Sequence, residues 1–538
     1  MGSSGSSLLG HSIYADMSIF KEFSQGLVNY YEPDTSSSCQ WTSMSEDIKN
    51  TTSNMRYKII RELTGNPLQF ANQFIWFTQI GKSNIKKDDP CRCEFVSRVK
   101  EEGKCDSSCQ IIKALGPAGK VGIPYIAQCD SCKTNPETER FIVKSSKAKE
   151  VTMTIVDSSY IMERFTTNFT KMLAYGCSGD IPNYMLGSSE FINETLIGYA
   201  LEYIMNPLSN VTSLQYSKTP FRAHTYIQQY DAFICSSKKA AYNVMELADL
   251  GDLSEFLTNL CDPVVRNDTS KLSEILNQNT LENIVLNVCK QIVVTLCYLQ
   301  TYYAFTHSDL KAKNVFVRSL DRTTHPSVVD YGEYHVENLG FVVCIADYGK
   351  CAISLPIRKN TQKFVRLHTT NTSAEFALEN FRNFTPDVRM SDSERTFFVI
   401  PDKPKEEEII TLGLFFLGLP TYSSLDTYCI IMSMLLVNQR ITDIMFSNNN
   451  IVKMMSTLWE GNALNSIKQE VDATLGRDAT DRPLKERMRI KYTYKRLKGK
   501  PLYCDASKRA MRKLFSTSHY SDVAQRAARN VLTRSGSV

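Results

Sequence analysis

The chain has 538 residues, of which 42% are hydrophobic and 22% are charged, as is ordinary for a globular protein with two to four domains or one large enzyme with extensions. Its net charge of +5 is uneven, because residues 482–538 carry 16 Lys or Arg against three acidic residues, and the remainder is net acidic. Sixteen cysteines without regular pairing argue against a disulfide scaffold and favour a reducing compartment.

The first half of the chain reads as a weakly ordered start followed by helix and then strands. Residues 1–50 are rich in Ser, Asn and Thr and show no secretory signal. Residues 51–110 are predicted to form a helical, cysteine-bearing extension, since 54–80 has apolar residues at helical spacing. The segments "CQIIKAL", "GIPYIAQC" and "RFIVK" then have the β-branched content of strands. The sequence therefore predicts a β-rich unit after the extension.

The second half is dominated by helical patterns. Residues 271–303 repeat apolar side chains every three or four positions, which predicts helix. Residues 409–439 carry a single charge, Asp426, and resemble a membrane span in composition, but Pro420 and the polar "TYSS" interrupt the run. We predict a buried core segment here and no transmembrane helix. The fold class expected is α+β.

The strongest chemical signal is the loop "HSDLKAKNVFV" at 307–317. The carboxylate of Asp309 can orient or deprotonate a hydroxyl nucleophile, and the ammonium of Lys311 can stabilise a phosphoryl group in transfer. The amide oxygen of Asn314 can ligate Mg²⁺. Three such groups in one loop predict a phosphoryl-transfer site.

This loop resembles the catalytic loop of the eukaryotic-type protein kinases, His-Arg-Asp-Leu-x-x-x-x-Asn, and the resemblance continues in order from residue 115 to about 437. It implies a bilobal kinase fold that uses ATP and Mg²⁺. The small, β-rich N-lobe would span 111–245 and the large, helical C-lobe 246–480, with a basic C-terminal extension at 481–538.

The same resemblance implies roles in the N-lobe. "LGPAGKVGIPY" stands where a glycine-rich loop covers the phosphates, and "RFIVK" resembles the strand whose lysine, here Lys144, contacts the α- and β-phosphates. "VMELADLGDL" is similar to the hinge that meets adenine. The remaining residues implied to bind the nucleotide are Gly116, Gly119, Gly122, Met245 as gatekeeper, Glu246 and Ala248.

The glutamate that pairs with Lys144 has three candidates. Glu194 opens an amphipathic helical pattern and precedes a segment similar to the family's next turn and strand, so we favour it. Glu163 has the commoner separation from Lys144 but leaves a long run before the hinge. Glu202 is the third option.

The metal-binding motif also has two candidates, because Asp-Tyr-Gly occurs at 330–332 and at 347–349. Separation from Asp309 favours Asp330, which follows it by 21 residues, over Asp347, which follows by 38. The apolar run "GFVVCIA" leads directly into Asp347 and would place it rigidly, whereas the first copy resembles an inserted hairpin such as haspin-like and large-DNA-virus kinases carry. We therefore predict that Asp347 binds Mg²⁺.

Departures from the family pattern narrow the resemblance. No Ala-Pro-Glu follows the motif, and Ser308 replaces the arginine that pairs with a phosphorylated activation loop, so activity is predicted not to need that phosphorylation. Lys311 points to Ser/Thr substrates. This combination resembles the divergent serine/threonine kinases of nucleocytoplasmic large DNA viruses, of the iridovirus and ascovirus type, and the resemblance implies the host cytoplasm or the virion. The competing hypothesis is a pseudokinase that acts as a virion or assembly scaffold.

Three weaker signals lie outside this core. Gly2 fits a myristoylation pattern, and the basic tail is a candidate to bind nucleic acid or anionic membrane. Six cysteines could bind zinc, although their spacing matches no standard site: Cys91, Cys93, Cys105, Cys109, Cys129 and Cys132.

Overall fold

The computed structural model describes the central part of the chain and several flanking segments. The described residues are 56, 59–71, 109–114, 124–129, 140–147, 153–157, 183–205, 221–235, 240–262, 271–331, 334–358, 360–369, 423–459, 461–477, 485 and 505–515. Gly2 and most of the basic tail lie outside them, so the predictions made for those regions, and the proposed domain boundaries, stay predictions.

From residue 109 to residue 246 the described chain is mainly strand, and the three strands predicted there are present. The elements are β1 (Cys109–Ala114), β2 (Pro124–Cys129), β3 (Arg140–Lys147), β4 (Met153–Asp157), β5 (Tyr184–Ser188), α1 (Glu190–Met205), β6 (Phe221–Ala223), β7 (Gln229–Cys235) and β8 (Ala240–Glu246).

Five of these strands form one antiparallel sheet in the order β1-β2-β3-β8-β7. Side chains alternate between the two faces of a strand, and β3 shows this alternation. Phe141 and Val143 are buried, whereas Ile142 and Lys144 are only half-buried. The predicted phosphate lysine therefore projects from the face of the sheet opposite to the side chains of Phe141 and Val143.

Helix α1 follows β5 directly and is buried along nearly its whole length, from Phe191 to Met205. Gly198 lets it approach β7 closely, because a Cβ at this position would lie 3.1 Å from the Oε1 atom of Gln229 and 3.6 Å from the ring of Tyr348. The helix is thereby packed between the sheet and the segment that contains Tyr348.

The described residues between 253 and 369 form three α-helices and six strands. They are α2 (Leu253–Asn259), α3 (Lys271–Gln278), α4 (Leu281–Tyr303), β9 (Val315–Ser319), β10 (Ser327–Tyr331), β11 (Tyr334–Glu337), β12 (Phe341–Ile345), β13 (Ile353–Ile357) and β14 (Asn360–Thr369). The predicted helical pattern at 271–303 thus forms two helices, separated by Asn279 and Thr280. The side chain of Thr280 caps the N-terminus of α4.

The inserted hairpin predicted around Asp330 is confirmed. Strands β10 and β11 pair antiparallel between β9 and β12, and β10 also pairs with β6. The hairpin therefore lies with β6 in a three-stranded sheet, separate from the β9–β12 pair that frames the 307–317 loop.

A four-stranded sheet, in the order β13-β14-β5-β4, was not predicted. Strand β14 runs parallel to β5 with Val365–Thr369 opposite Tyr184–Ser188. The segment that follows the second Asp-Tyr-Gly motif is thereby bonded to the strand that leads into α1.

The C-terminal region is helical. Its elements are α5 (Ser423–Leu435), α6 (Gln439–Ser447), α7 (Asn449–Leu458), α8 (Gly461–Arg477) and α9 (Asp505–Leu514). From Asp426 to Leu436, α5 and the turn after it are buried except at Ser433, as the uncharged pattern predicts. Helix α9, from the basic tail, buries Ala510, Met511 and Leu514.

Among the described residues, α4 is the helix long and apolar enough to cross a membrane, and α5 with α6 passes the same test only as a pair bent by 119°. The apolar window of α4 is 83% buried inside the molecule. This burial is typical of a core helix.

The extension before the first strand also contacts the core. Residues 59–71 are helical apart from Asn66 and bury Ile60, Leu63 and Phe70. Arg56 donates from Nε and Nη2 to the carboxylate of Glu202 on α1 at 2.8 and 3.0 Å, and both side chains are at most 2% exposed. The extension is therefore joined to α1 by a buried ion pair.

Candidate active site

The 307–317 loop begins where α4 ends in a left-handed residue, Ala304. Asp426 on α5 fixes the loop, because its two carboxylate oxygens accept from the backbone N–H groups of His307 and Ser308 at 2.7 and 3.0 Å. Burial raises the pKa of Asp426 to about 7, against the lowering effect of those two N–H groups. The two bonds from Asp426 also support the left-handed backbone of Ser308 at φ 65°.

Asp309, Lys311 and Asn314 are close together, as their spacing predicted. Lys311 Nζ lies 3.2 and 3.3 Å from the two carboxylate oxygens of Asp309. The side-chain amide of Asn314 donates to the carbonyl of Asp309 at 2.8 Å. The ammonium of Lys311 thus contacts the Asp309 carboxylate, and the side chain of Asn314 is anchored to the backbone of the same aspartate.

A second group is assembled by Lys144 on β3. Its Nζ lies 2.8 Å from Oε1 of Glu194 on α1 and 2.9 Å from Oδ1 of Asp347. Burial lowers the pKa of Lys144, but the carboxylates of Asp347 and Glu194 raise it by more, so the ammonium form is retained. The ammonium of Lys144 holds the pKa of Asp347 well below its usual range. One cation therefore joins the sheet, the helix and the second Asp-Tyr-Gly motif.

Asp347 has a left-handed backbone, at φ 61°, in the turn after β12. Such a conformation is costly for a non-glycine residue and persists only where its surroundings enforce it. Here Asn193 on α1 donates from its side-chain amide to the carbonyls of Tyr348, Gly349 and Cys351 at 3.3, 3.0 and 2.7 Å. Helix α1 thus holds the motif as well as supplying Glu194.

Asn314 and Asp347 are suited to a divalent cation. The backbone carbonyl of Asn314 accepts from the N–H of Ala346 at 3.1 Å, which places Asp347 next to the loop. Mg²⁺ prefers oxygen ligands and is commonly held by one or two protein groups together with substrate phosphates. The described residues contain no cluster of three or more His, Cys, Asp or Glu placed to bind a metal. The side chain of Asp347 is 43% exposed. Its carboxylate and the amide oxygen of Asn314 therefore fit a Mg²⁺ ion whose other ligands are substrate phosphates and water, rather than a metal site closed by protein ligands.

The predicted hinge residues lie at the end of β8, opposite β3. Glu246 pairs with Phe141 across the sheet and Met245 with Ile142. The backbone N–H of Glu246 donates to the carbonyl of Gln228 at 2.8 Å, so this N–H is already used within the protein. A role in binding adenine would therefore use the carbonyl of Glu246 and the backbone groups that follow, up to Ala248.

The alternative candidates for the partner of Lys144 and for the metal ligand do not lie at this site among the described residues. Glu202 pairs with Arg56 rather than with Lys144, and Asp330 lies on the hairpin, where it contacts His335 at 3.0 Å. Glu163 lies outside the described residues, as do three glycines of the predicted phosphate loop, Gly116, Gly119 and Gly122.

The zinc hypothesis is likewise untested. Cys109 and Cys129 are opposite each other in the β1–β2 pair, and the other four cysteines of the set lie outside the described residues.

Two polar residues near the site were not predicted. Lys350 follows the second motif directly and contacts Asp309 at 3.1 Å. Asn193 holds the motif from α1. The sequence offered a weak signal for Lys350, a lysine next to a motif already selected, and none for Asn193, since only the packing of α1 brings it there.

Two comparisons with known proteins find similarity to protein kinases. The family model "Protein tyrosine and serine/threonine kinase" matches residues 220–370, which include Asp309, Asn314 and Asp347. "Putative serine/threonine-protein kinase R679" of Acanthamoeba polyphaga mimivirus is 24% identical over 428 residues, or 68% of this chain and 56% of the relative. The chain thus spans little more than half of that relative's length.

The solved structures include a similar chain described as "Crystal structure of BubR1 kinase domain". It is 14% identical, with a TM-score of 0.21, and the similarity covers 45% of this chain and 47% of that one. Residues 220–370 thus match a protein kinase family model, and the chain is similar to a viral putative serine/threonine-protein kinase.

Proposed function

We propose that this protein is a serine/threonine kinase of bilobal fold that transfers the γ-phosphoryl group of ATP to protein hydroxyls. The sheet that contains β3 and β8, with α1, would form the small lobe, and the C-terminal helices the large one. The viral relative supports a site of action in the host cytoplasm or the virion. ATP and proteins with exposed Ser or Thr are its proposed partners, and the basic tail is a further candidate to bind nucleic acid or anionic membrane.

The observation that carries this proposal is the double contact of Lys144 with Glu194 and Asp347, beside the Asp309 loop. It supports a site in which an ammonium group is held ready for phosphates while a separate carboxylate faces the acceptor. A surface loop with ordinary polar residues would not bring three distant segments, at 144, 194 and 347, onto one nitrogen atom.

In the proposed reaction the hydroxyl oxygen of the substrate forms a bond to the γ-phosphorus, and the bond between that phosphorus and the oxygen bridging to the β-phosphate breaks. ADP leaves, and Asp309 accepts the hydroxyl proton. Lys144 would contact the α- and β-phosphates and Lys311 the group in transfer. Asn314 and Asp347 would hold Mg²⁺, which neutralises phosphate charge when it is bound.

The test is ATP-dependent phosphorylation of generic Ser/Thr protein substrates by the wild type and by Asp309→Asn. The amide keeps the size of the side chain but cannot accept the proton, so turnover should fall by about 10²- to 10⁴-fold. Equal turnover by the two proteins would refute the enzymatic proposal and favour the pseudokinase alternative.

Activity is also expected without phosphorylation of the segment that follows Asp347. Ser308 cannot bind a phosphate as an arginine would. Arg366 on β14 instead donates to the carbonyl of Ala304 at 2.8 Å and to the hydroxyl of Ser354 at 3.0 Å, and it is fully buried. Arg366, which belongs to this segment, therefore bonds the residue just before the 307–317 loop without any phosphate. The parallel pairing of β14 with β5 holds the segment in place as well.

Phosphatase treatment of the purified kinase should therefore leave its turnover unchanged. The measurement is the initial rate before and after treatment, with removal of any phosphate followed by intact mass. A sharp loss of turnover that coincides with loss of phosphate from residues 353–369 would contradict this expectation.

A further inference from the structure

Asp309 is in contact with two ammonium groups, of which the resemblance to kinases explains one. Lys311, two residues away on the same loop, lies 3.2 Å from Oδ1 and 3.3 Å from Oδ2. Lys350, which is 41 residues away, lies 3.1 Å from Oδ2. The side chains of Lys350 and Asp309 are only 14% and 11% exposed, so this contact is shielded from solvent more than a surface ion pair is.

The backbone at Lys350 is fixed by contacts that do not involve the lysine side chain. Residues 348–350 form a single 3₁₀ turn, closed by a hydrogen bond from the N–H of Cys351 to the carbonyl of Tyr348 at 3.0 Å. The three bonds from Asn193 span the same turn. Gly349 lies against α1, where an added Cβ would approach the Cβ atom of Glu190 to 3.3 Å. A turn fixed on both sides loses little further freedom when its lysine binds a carboxylate.

The two lysines lie on different segments of the chain. Lys311 belongs to the loop and moves with Asp309. Lys350 belongs to the turn that begins at the proposed metal ligand, Asp347. The contact of Lys350 with Oδ2 therefore ties the orientation of the proposed base to the position of the metal-binding turn.

From this geometry we propose that Lys350 is a further positioning residue, which fixes the carboxylate of Asp309 for the acceptor hydroxyl when the 347–349 motif is in place. The inference rests on the proposed kinase function. A charge-assisted hydrogen bond in a shielded site holds the carboxylate in one orientation. Because Lys350 acts through Asp309, its contribution should depend on the presence of that carboxylate.

The experiment compares Lys350→Met and Lys350→Gln with Lys350→Arg. Lys453→Met, at an exposed position on α7, is the matched control for losing a lysine. We expect the first two variants to lower kcat by about 10- to 100-fold, since removing one preorganised electrostatic contact commonly costs this much or more. The KM for ATP and the affinity for MgADP, measured by calorimetry, should stay near the wild-type values. Lys350→Arg should recover part of the loss, and Lys453→Met should match the wild type.

The deciding measurement repeats Lys350→Met in the Asp309→Asn background, using the residual turnover in a sensitive radiometric assay. If Lys350 acts through the carboxylate, its removal there should change turnover far less than in the wild type. An equal fold-loss in both backgrounds would overturn the positioning role, as would full activity of Lys350→Met and Lys350→Gln beside an active wild type. No phosphotransfer by the wild type would instead refute the proposed function itself.

Discussion

Asp347→Ala should reduce phosphotransfer by roughly four orders of magnitude, since a bound metal ion stabilises transition-state charge by several kcal/mol. The substitution removes a proposed Mg²⁺ ligand and also one of the two carboxylates that contact Lys144. Glu194 would remain as a partner of the lysine at 2.8 Å, so the fold should persist. The measurement is kcat at saturating ATP and Mg²⁺, with thermal unfolding as the check on folding.

Asp330→Ala is the matched control, because it alters the same tripeptide at its other copy. Asp330 is 55% exposed and contacts His335 and Ser327 within the β10–β11 hairpin. Its loss should leave turnover close to the wild-type value. A result in which Asp330→Ala is inactive and Asp347→Ala is active would reverse the assignment of the metal-binding motif.

Arg56→Met should lower the free energy of unfolding by about 3–5 kcal/mol, the usual cost of leaving one member of a buried ion pair without its partner. Glu202 would keep a donor from Gln228 at 3.1 Å but would lose both bonds from the guanidinium. Urea-induced unfolding measures the change. Because Glu202 and Glu194 share α1, phosphotransfer should fall as well.

Two further variants sharpen this test. Arg440→Met, at an exposed position on α6, should change stability by no more than about 0.5 kcal/mol. The double variant Arg56→Met/Glu202→Gln should recover part of the loss, since it removes the unpaired charge. Wild-type stability of Arg56→Met would show that the ion pair with Glu202 does not stabilise the fold.

The parts of this structure that could be predicted from sequence are those set by short patterns. The apolar run before Asp347 predicted strand β12 and led us to favour the second motif. The uncharged stretch after Asp426 predicted a buried helix, and "RFIVK" predicted β3. In each case burial and strand alternation leave a local signature in the residues themselves.

What could not be predicted depends on segments that are distant in sequence. Strand β14 pairs with β5 over a separation of about 180 residues. Parallel strands are not joined by a short hairpin turn, so no local sequence pattern predicts their pairing. Asn193 and Lys350 are ordinary polar residues in their local sequence, and their contacts exist only because α1 packs against the turn at 348–350. The choice of Glu194 over Glu202 was likewise a preference from pattern, since both lie on one helix and each has its own cationic partner.

The parallel pairing of β14 with β5 has a consequence for how this protein could be controlled. Residues 365–369 are bonded to 184–188, and α1 begins two residues after β5 ends. An outward movement of α1 that carried β5 with it would separate Glu194 from Lys144 and would break main-chain hydrogen bonds to β14, each worth about 0.5–1.5 kcal/mol. The resting protein would then already have its site assembled, so its output would depend on how much of it is made and which substrates it meets rather than on an activating signal.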